Sequence, residues 1–210
     1  MKTIINVSKW ERYDLFRHYE EDTNPFVILT TPLDITNAYN IAKETNSSMY
    51  ATLGYLITKV VNKVDGFRYR KEDNEIVVYD HVNANFTENI HDGKIGFFTV
   101  KDDNSYKEFV DCFESKRNNL FEVKENDPSI IHYDEIWMSC VPWFEFNGVI
   151  PPFNKDNSIP QFIWDKFKKE DDKVTTHLML LVHHGFIDGY GIGRFINLLQ
   201  EEINNFKGDE

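Results

Sequence analysis

Residues 178–189 read LMLLVHHGFIDG, and this stretch decides the fold. Residues 178–184 form an apolar run that ends in two histidines, which predicts a central strand of a sheet. Asp188 and Gly189 follow in a turn rich in glycine. Polar side chains beside an apolar strand cost free energy unless they are hydrogen-bonded. The junction therefore predicts a functional site where the strand leaves the sheet.

Outside this strand, helical and strand patterns are mixed along the chain without strict alternation. β-Branched, aromatic and apolar residues predict strands over residues 26–31, 67–70, 75–79, 95–100 and 136–141. Apolar residues at helical spacing and capping signals predict helices over residues 36–45, 49–64, 106–118 and 190–206. We therefore predict an α/β fold: a two-layer sandwich with one mixed β-sheet and helices packed on it, forming a single domain over residues 1–210.

The net charge of −12 makes some classes of binding partner unfavourable. An acidic chain disfavours nucleic acid and anionic membrane surfaces, because both bind through lysine and arginine. No apolar run approaches the roughly 18 residues of a membrane helix, and the first residues lack the apolar region of a secretory signal. The only cysteines, Cys112 and Cys140, do not indicate a disulfide framework. These features predict a cytoplasmic protein.

The two histidines have the chemistry of a proton carrier. An imidazole accepts and returns a proton near neutral pH, since its ordinary pKa is about 6.5. Successive side chains of a strand point to opposite faces, so His183 and His184 diverge and only one faces a given pocket. One metal ion cannot easily collect two diverging imidazoles, and the chain has no other compact cluster of histidine and cysteine. We therefore predict no metal site.

Three segments together resemble the chloramphenicol acetyltransferase family. They are Trp10-Glu11-Arg12 near the start, MSCVPWFEF at residues 138–146, and HHGFIDGYGIGRFINLLQ at residues 183–200. Their order and spacing are similar to those of the family from about residue 5 to about residue 206. The resemblance implies the same α/β architecture and a homotrimer. It also implies active sites at the subunit interfaces, with the histidine of one subunit facing an acceptor pocket formed largely by its neighbour.

The resemblance also implies roles for the polar residues of these three segments. His184 corresponds to the catalytic base, which passes a proton from a hydroxyl to the leaving thiolate without an acyl-enzyme. Ser139 corresponds to the donor that stabilises the oxyanion. Asp188 is expected to pair with Arg12 and to support the loop carrying His184; as a buried pair, its loss from one side would cost about 3–5 kcal/mol. Arg194 is a rival partner, although a surface position is the favoured interpretation.

For the substrates, the resemblance implies acetyl-CoA as co-substrate, no tightly bound cofactor and a chloramphenicol-like hydroxyl acceptor. Two groups of residues match by position, one for each substrate. The acceptor group is Tyr19, Phe26 and Val27; the coenzyme A group is Lys166, Trp143 and Phe167.

The sequence departs from the family at several places near these residues. Ile163 stands where the family has a threonine, and Gly191 stands where a second histidine is common. Three alternatives therefore stay open beside chloramphenicol acetylation. They are an acetyltransferase for another small hydroxyl acceptor, a hydrolase with Ser139 or Cys140 as nucleophile, and a binding protein with little or no catalysis.

Overall fold

The computed structural model of the protein describes residues 1–90, 93–102, 105–120 and 131–208. A seven-stranded sheet runs through it in the order β2-β10-β8-β7-β5-β6, with the short β9 paired to β10. The pairs β7–β8 and β5–β7 are parallel and the others are antiparallel, so the sheet is mixed. The described strands are β1 (Lys2–Ile4), β2 (Phe26–Asp34), β3 (Tyr69–Glu72), β4 (Glu75–Tyr79), β5 (Asn83–Asn89), β6 (Ile95–Val100), β7 (Glu135–Val141), β8 (Gln161–Asp165), β9 (Lys168–Glu170) and β10 (Lys173–His183).

The helices form a second layer on one face of this sheet. Alternate side chains of the strands, including Phe86, Phe162 and Leu180, join the helices in the main hydrophobic core. Burial of this apolar surface is the chief force that holds the two layers together. The helices of this layer are α2 (Thr36–Glu44), α3 (Met49–Val61), α4 (Tyr106–Leu120) and α5 (Gly189–Asn205). A further helix, α1 (Tyr13–Glu20), packs outside this core, where its Phe16 forms a small cluster with Ile76 and Phe186.

A separate three-stranded sheet, ordered β1-β4-β3, packs beside the start of β7. Its β3–β4 hairpin turns at Asp73 and Asn74, which both have positive φ angles, as a tight two-residue hairpin requires. Arg70 on β3 is completely buried and donates hydrogen bonds to the carbonyl oxygens of four residues. These acceptors are Phe67, Tyr69, Tyr133 and Glu135, at 2.7–2.8 Å. Arg70 thereby ties the small sheet to the large one.

The predicted α/β sandwich with a mixed sheet is confirmed, and most predicted elements are present. The strands predicted at 75–79 and 95–100 have those bounds, and the last helix is displaced by one residue. The third helix ends at Val61, before the predicted residue 64, and is followed by a 3₁₀ turn at Asp65–Phe67. The sequence interpretation did not include β1, α1, β5, β8 or β9, nor the separate small sheet. Among the described residues, no helix is long and apolar enough to span a membrane.

Candidate active site

His184 lies immediately after β10, at the point where the chain leaves the sheet. Its backbone N–H donates to the carbonyl oxygen of Pro25 at 2.8 Å, and its ring is half-buried. Nδ1 lies 3.1 Å from the carbonyl oxygen of Ile187. A carbonyl oxygen only accepts, so Nδ1 carries the proton of the neutral ring and Nε2 carries the lone pair. Within the described part of the chain, Nε2 has no hydrogen-bond partner, so its lone pair is left free there.

His183 has a different environment from its neighbour. Its ring is buried against the stacked rings of Phe16 and Phe186, with ring centroids 5.4 and 4.8 Å away. Nδ1 accepts from the backbone N–H of Gly185 at 3.2 Å, which leaves Nε2 to donate to Glu20 Oε2 at 3.3 Å. Burial lowers the pKa of His183, and the Glu20 carboxylate offsets this effect in part. These bonds hold the start of the turn that carries His184.

Asp188 closes the same turn through two contacts, one for each carboxylate oxygen. Oδ1 accepts from the N–H of Gly191 at 3.0 Å and so caps the N-terminus of α5. Oδ2 accepts from Arg12 Nη1 at 3.0 Å, and Arg12 Nε also lies 3.4 Å from the carbonyl oxygen of Gly185. The Gly191 bond and then the Arg12 bond lower the pKa of Asp188. Arg194, the rival partner, is exposed on α5.

The Arg12–Asp188 pair is not the buried ion pair that the sequence interpretation assumed. The two side chains are 29% and 38% exposed. Water screens charges at that exposure, so the expected cost of about 3–5 kcal/mol for losing one partner is wrong, and about 1 kcal/mol or less applies. The contact still joins the start of α1 to the turn after β10, two segments that are distant in sequence.

Ser139 lies on the face of the sheet opposite the helices, where it lines a cavity of about 810 Å³. On neighbouring β8, Ile163 stands directly opposite Ser139 and lines the same cavity. The side chains of Trp137 and Gln161 extend this wall along the two strands. The cavity therefore combines apolar and polar side chains around the serine hydroxyl.

Within one chain, the serine and the histidine lie far apart. Ser139 on β7 pairs with Ile163 on β8, which pairs with Met179 on β10. His184 is five residues beyond Met179, so the two site residues are two strand spacings across and five residues along the sheet. This offset amounts to about 19 Å. His184 is also absent from the described lining of the Ser139 cavity.

The three residues expected to contact the acceptor do not lie together within one chain. The ring of Tyr19, on α1, lies 4.2 Å from the ring of His184, centroid to centroid. Phe26 is buried on the cavity side of the sheet with Met179 and Leu181. Val27 points to the other side and packs against the helix-side core. The structure thus brings Tyr19 to His184 and directs Val27 away from the cavity face.

The residues expected to bind coenzyme A follow two neighbouring parallel strands: Trp143 comes after β7, and Lys166 and Phe167 come after β8. Lys166 is exposed, and its backbone N–H donates to the carbonyl oxygen of Phe144 at 3.3 Å. Phe167 is half-buried against the main core, whereas Trp143 is 68% exposed. An indole exposed to this degree is available to stack on a ligand or on a second protein chain.

No catalytic alternative is assembled within the described chain. Burial raises the pKa of the Cys140 thiol to about 12, so this cysteine is not a nucleophile at neutral pH. Among the described residues, Ser139 has no histidine base within hydrogen-bond reach, because the strand register places His177 about 12 Å away and His184 about 19 Å away. Among the described residues, no group of three or more histidine, cysteine, aspartate and glutamate side chains is placed to hold a metal ion.

The sequence of the chain is similar to those of known proteins over nearly its whole length. A family model described as Chloramphenicol acetyltransferase matches residues 1–200. The chain belongs to the chloramphenicol acetyltransferase family. It is therefore an acyltransferase. A chloramphenicol acetyltransferase of Clostridium perfringens is 31% identical to it, over 96% of this chain and 98% of that protein. Chloramphenicol acetyltransferase 2 of Escherichia coli is 30% identical, over 97% of both chains.

Solved structures show the same fold. A chloramphenicol acetyltransferase structure aligns with a TM-score of 0.88 at 23% identity and covers 97% of this chain and 100% of that chain. A catalytic core of a 2-oxoacid dehydrogenase multienzyme complex from Thermoplasma acidophilum aligns with a TM-score of 0.72 at 17% identity, covering 97% and 98%. At these identities the alignments establish the fold and leave the substrate to the residues of the site.

Gly191, where the sequence departs from the family, packs tightly against the turn after β10. A Cβ atom added at Gly191 would lie 2.7 Å from Cγ1 of Ile187, which is closer than real side chains approach. Ile187 is buried in the main core, so a larger residue at 191 would force its side chain to shift. The bonds of Asp188 to Gly191 and Arg12 remain.

The sequence interpretation missed a buried carboxylate next to Lys166 and Phe167, the residues expected to bind coenzyme A. Asp165, at the end of β8, is completely buried and accepts hydrogen bonds from Phe146 N–H at 3.0 Å and from His177 N–H and Nδ1 at 2.8 Å. Burial by itself raises the pKa of Asp165, but the donors outweigh it and the net shift is downward. Only the strand register brings Asp165 and His177 together, since they are separated by twelve residues.

Proposed function

We propose that the protein is an acetyl-CoA-dependent chloramphenicol O-acetyltransferase. The observation that carries the proposal is the held orientation of His184. Its Nδ1–H points to the carbonyl oxygen of Ile187, and its Nε2 lone pair is left for a substrate hydroxyl. Names and sequences of the relatives support chloramphenicol as the acceptor.

The reaction needs only one base and one oxyanion donor. Nε2 of His184 removes the hydroxyl proton as the acceptor oxygen attacks the thioester carbonyl carbon. The hydroxyl of Ser139 donates a hydrogen bond to the resulting oxyanion. As the carbon–sulfur bond breaks, Nε2–H returns its proton to the sulfur, and the products are the acetyl ester and free coenzyme A. The proton is conserved, and no acyl-enzyme forms.

The separation of about 19 Å between Ser139 and His184 supports a site shared by two subunits. A tetrahedral intermediate needs both groups within hydrogen-bond distance of one substrate, which one chain does not provide. We propose a homotrimer in which His184 of one subunit faces the Ser139 cavity of the next. The exposed Trp143 is consistent with contact to another chain or to coenzyme A.

Lys166 is the proposed contact for a coenzyme A phosphate, with Trp143 and Phe167 as apolar walls. An exposed lysine supplies a local positive charge for a phosphate although the net charge of the chain is −12. We place the protein in the cytoplasm, where acetyl-CoA is available. The two described cysteines are free thiols, as expected in a reducing compartment.

A thiol-release assay tests this function. Purified protein with acetyl-CoA and chloramphenicol should release coenzyme A, and His184→Ala should abolish the release. Ser139→Ala should lower kcat by about a hundredfold or more. His81→Ala is the matched control, because His81 is a surface histidine with 73% of its side chain exposed. Equal rates for His184→Ala and wild type would disprove the role of His184.

Mixed oligomers test the shared site independently. Each single variant, His184→Ala or Ser139→Ala, lacks one half of every site. When the two are unfolded and refolded together, some interfaces combine the intact His184 of one subunit with the intact Ser139 of another. Activity should then return in the mixture. A mixture that forms oligomers but stays as inactive as its components would place the whole site within one chain and reject the proposal.

A further inference from the structure

An ion pair that the proposed reaction does not use contacts the turn that carries His184. Glu20, the last residue of α1, contacts Lys71 on β3 and His183 at the end of β10, one with each carboxylate oxygen. The Lys71 ammonium donates to Oε1, and His183 Nε2 donates to Oε2 at 3.3 Å. Glu20 and Lys71 are partly exposed, whereas His183 is buried. The three residues thus form a chain of contacts from the surface to a buried ring.

Three consecutive backbone N–H groups of the turn donate to His183. Its Nδ1 accepts from Gly185 at 3.2 Å, and its carbonyl oxygen accepts from Phe186 at 3.0 Å and from Ile187 at 3.2 Å. The carbonyl oxygen of Ile187 in turn lies 3.1 Å from Nδ1 of His184. The orientation of the His184 ring therefore depends on a turn that is bonded to His183 at three points.

Only one tautomer of His183 fits this turn. Nδ1 has to carry a lone pair, because the Gly185 N–H donates to it, so the proton of the neutral ring belongs on Nε2. A carboxylate only accepts, and Glu20 Oε2 therefore selects that tautomer. The other tautomer, or the protonated ring, would place two N–H donors opposite each other at Nδ1 and break the bond to Gly185.

Lys71 offsets the charge of the Glu20 carboxylate next to this ring. The titratable groups that face His183 are Glu20 from α1, Lys71 from β3 and His184 from the turn, and β2 faces it with the ring of Phe26. Burial lowers the pKa of His183, Glu20 raises it, and Lys71 and His184 lower it further, so the net shift is downward. The ammonium thereby helps to keep the ring neutral, which the bond to Gly185 requires.

We propose that Glu20 and Lys71 are positioning residues for His184: together they fix the proton of His183 on Nε2 and so hold the turn that orients the base. The inference rests on the proposed function, in which His184 is that base. Tyr19, the neighbour of Glu20 on α1, has its ring 4.2 Å from the ring of His184. Two consecutive residues of α1 therefore contact two consecutive histidines.

Glu20→Gln tests the proposal, because it removes the charge and keeps the shape of the side chain. The amide oxygen should turn to the Lys71 ammonium, which is the stronger donor, so that the amide NH₂ faces His183 and favours the wrong tautomer. The kcat for coenzyme A release should fall about 10- to 100-fold at every pH, with the KM for acetyl-CoA unchanged. Glu21→Gln, at the next residue, is the matched control and should keep the wild-type kcat, since Glu21 pairs with the exposed Arg17.

Removal of the ammonium has a different expected effect. In Lys71→Met the Glu20 carboxylate still selects the tautomer, so kcat above neutral pH should stay close to that of wild type. Without the Lys71 charge the pKa of His183 rises, and the acid limb of the pH profile should move to higher pH as the protonated ring loses the bond to Gly185. Lys71→Arg keeps the charge and should keep the wild-type profile. An unmoved acid limb in Lys71→Met would overturn the inference, including where Glu20→Gln does not fold.

The double variant Glu20→Gln/Lys71→Met distinguishes positioning from structural support alone. Without the ammonium, the amide oxygen at residue 20 can accept from His183 Nε2–H, and the correct tautomer returns. The kcat at neutral pH should therefore be higher in the double variant than in Glu20→Gln. Structural support alone predicts the reverse, because the second substitution would add to the damage of the first. A double variant no more active than Glu20→Gln, or a Glu20→Gln variant with the wild-type kcat, overturns the proposal.

Nitrogen NMR of the histidine rings separates this inference from the proposed function, because it needs no substrate. At neutral pH, wild-type protein should carry the proton of His183 on Nε2 and that of His184 on Nδ1, and Glu20→Gln should move the His183 proton to Nδ1. This shift, in a protein that releases no coenzyme A, keeps the positioning and rejects the function. Coenzyme A release with an unchanged His183 tautomer in Glu20→Gln keeps the function and rejects the positioning.

Discussion

Asp188 performs two separable tasks, and two substitutions distinguish them. Its Oδ1 caps α5 at Gly191, while its Oδ2 pairs with Arg12. Asp188→Asn keeps an oxygen that accepts from the Gly191 N–H, because asparagine is as good an N-cap as aspartate, but it removes the charge. Asp188→Ala removes both the cap and the charge. Arg12→Ala removes the pair and keeps the cap.

The structure sets the size of each effect. The pair is 29% and 38% exposed, so Asp188→Asn and Arg12→Ala should each lower the free energy of unfolding by about 1 kcal/mol or less. Loss of an N-cap oxygen costs about 1 kcal/mol more, so Asp188→Ala should lose about 2 kcal/mol in total. Urea unfolding followed by fluorescence measures all three values on one scale.

The dependence on pH provides a further check on the same carboxylate. Because the folded-state pKa of Asp188 is lowered, its stabilisation is present above the unfolded pKa of about 3.9 and is lost as pH falls through the folded pKa. Asp188→Asn should remove this part of the acid loss of stability. Equal losses for Asp188→Asn and Asp188→Ala would refute the division of tasks. A loss of 3 kcal/mol or more for Arg12→Ala would refute the argument from exposure, at about the size of a buried pair.

Two further substitutions probe buried groups that act outside the reaction itself. Arg70→Met should lower the free energy of unfolding by at least about 3 kcal/mol in urea, because four carbonyl oxygens lose a buried donor; a loss below about 1 kcal/mol would contradict this. Burial lowers the pKa of His183, so as the pH falls the unfolded chain takes up a proton at this residue before the folded chain does. The free energy of unfolding should therefore fall as pH drops from about 6.5 towards the folded pKa. His183→Gln should flatten that slope in thermal unfolding measured across pH, and an unchanged slope would contradict the assignment.

The turn after β10 was predictable because its signals are local. An apolar run marks the strand, and His184, Asp188 and Gly189 lie within a few residues of its end. Helix α5 begins where Asp188 caps it, so the same short segment sets the fold and presents the histidine. Tertiary context adds the carbonyl partner of the imidazole, but even that partner is only three residues away.

Strand β5 was missed because one of its faces is polar and lines the cavity. In β5 the core-facing Ala84 and Phe86 alternate with Asn85 and Thr87, which line the cavity. Such a strand lacks the apolar run that a central position normally produces. Helix α1 was missed for another reason: it is short, and its N-cap residue, Arg12, makes no capping bond with its side chain. These elements depend on partners that are distant in sequence.

The cavity face of the large sheet also limits how the catalytic groups can come together. Helices cover only one face of the large sheet, and the opposite face holds the cavity with Glu135 and Ser139. Ser139 and its neighbour Ile163 are fixed by strand register, whereas the ring of His184 is held by the turn after β10. Because the packed sheet is rigid, the turn that carries His184 cannot move about 19 Å to reach Ser139 of the same chain. In the proposed reaction, His184 and Ser139 act on one substrate, so the His184 turn of one subunit has to lie at the Ser139 cavity of another. Assembly of subunits is then a condition for catalysis.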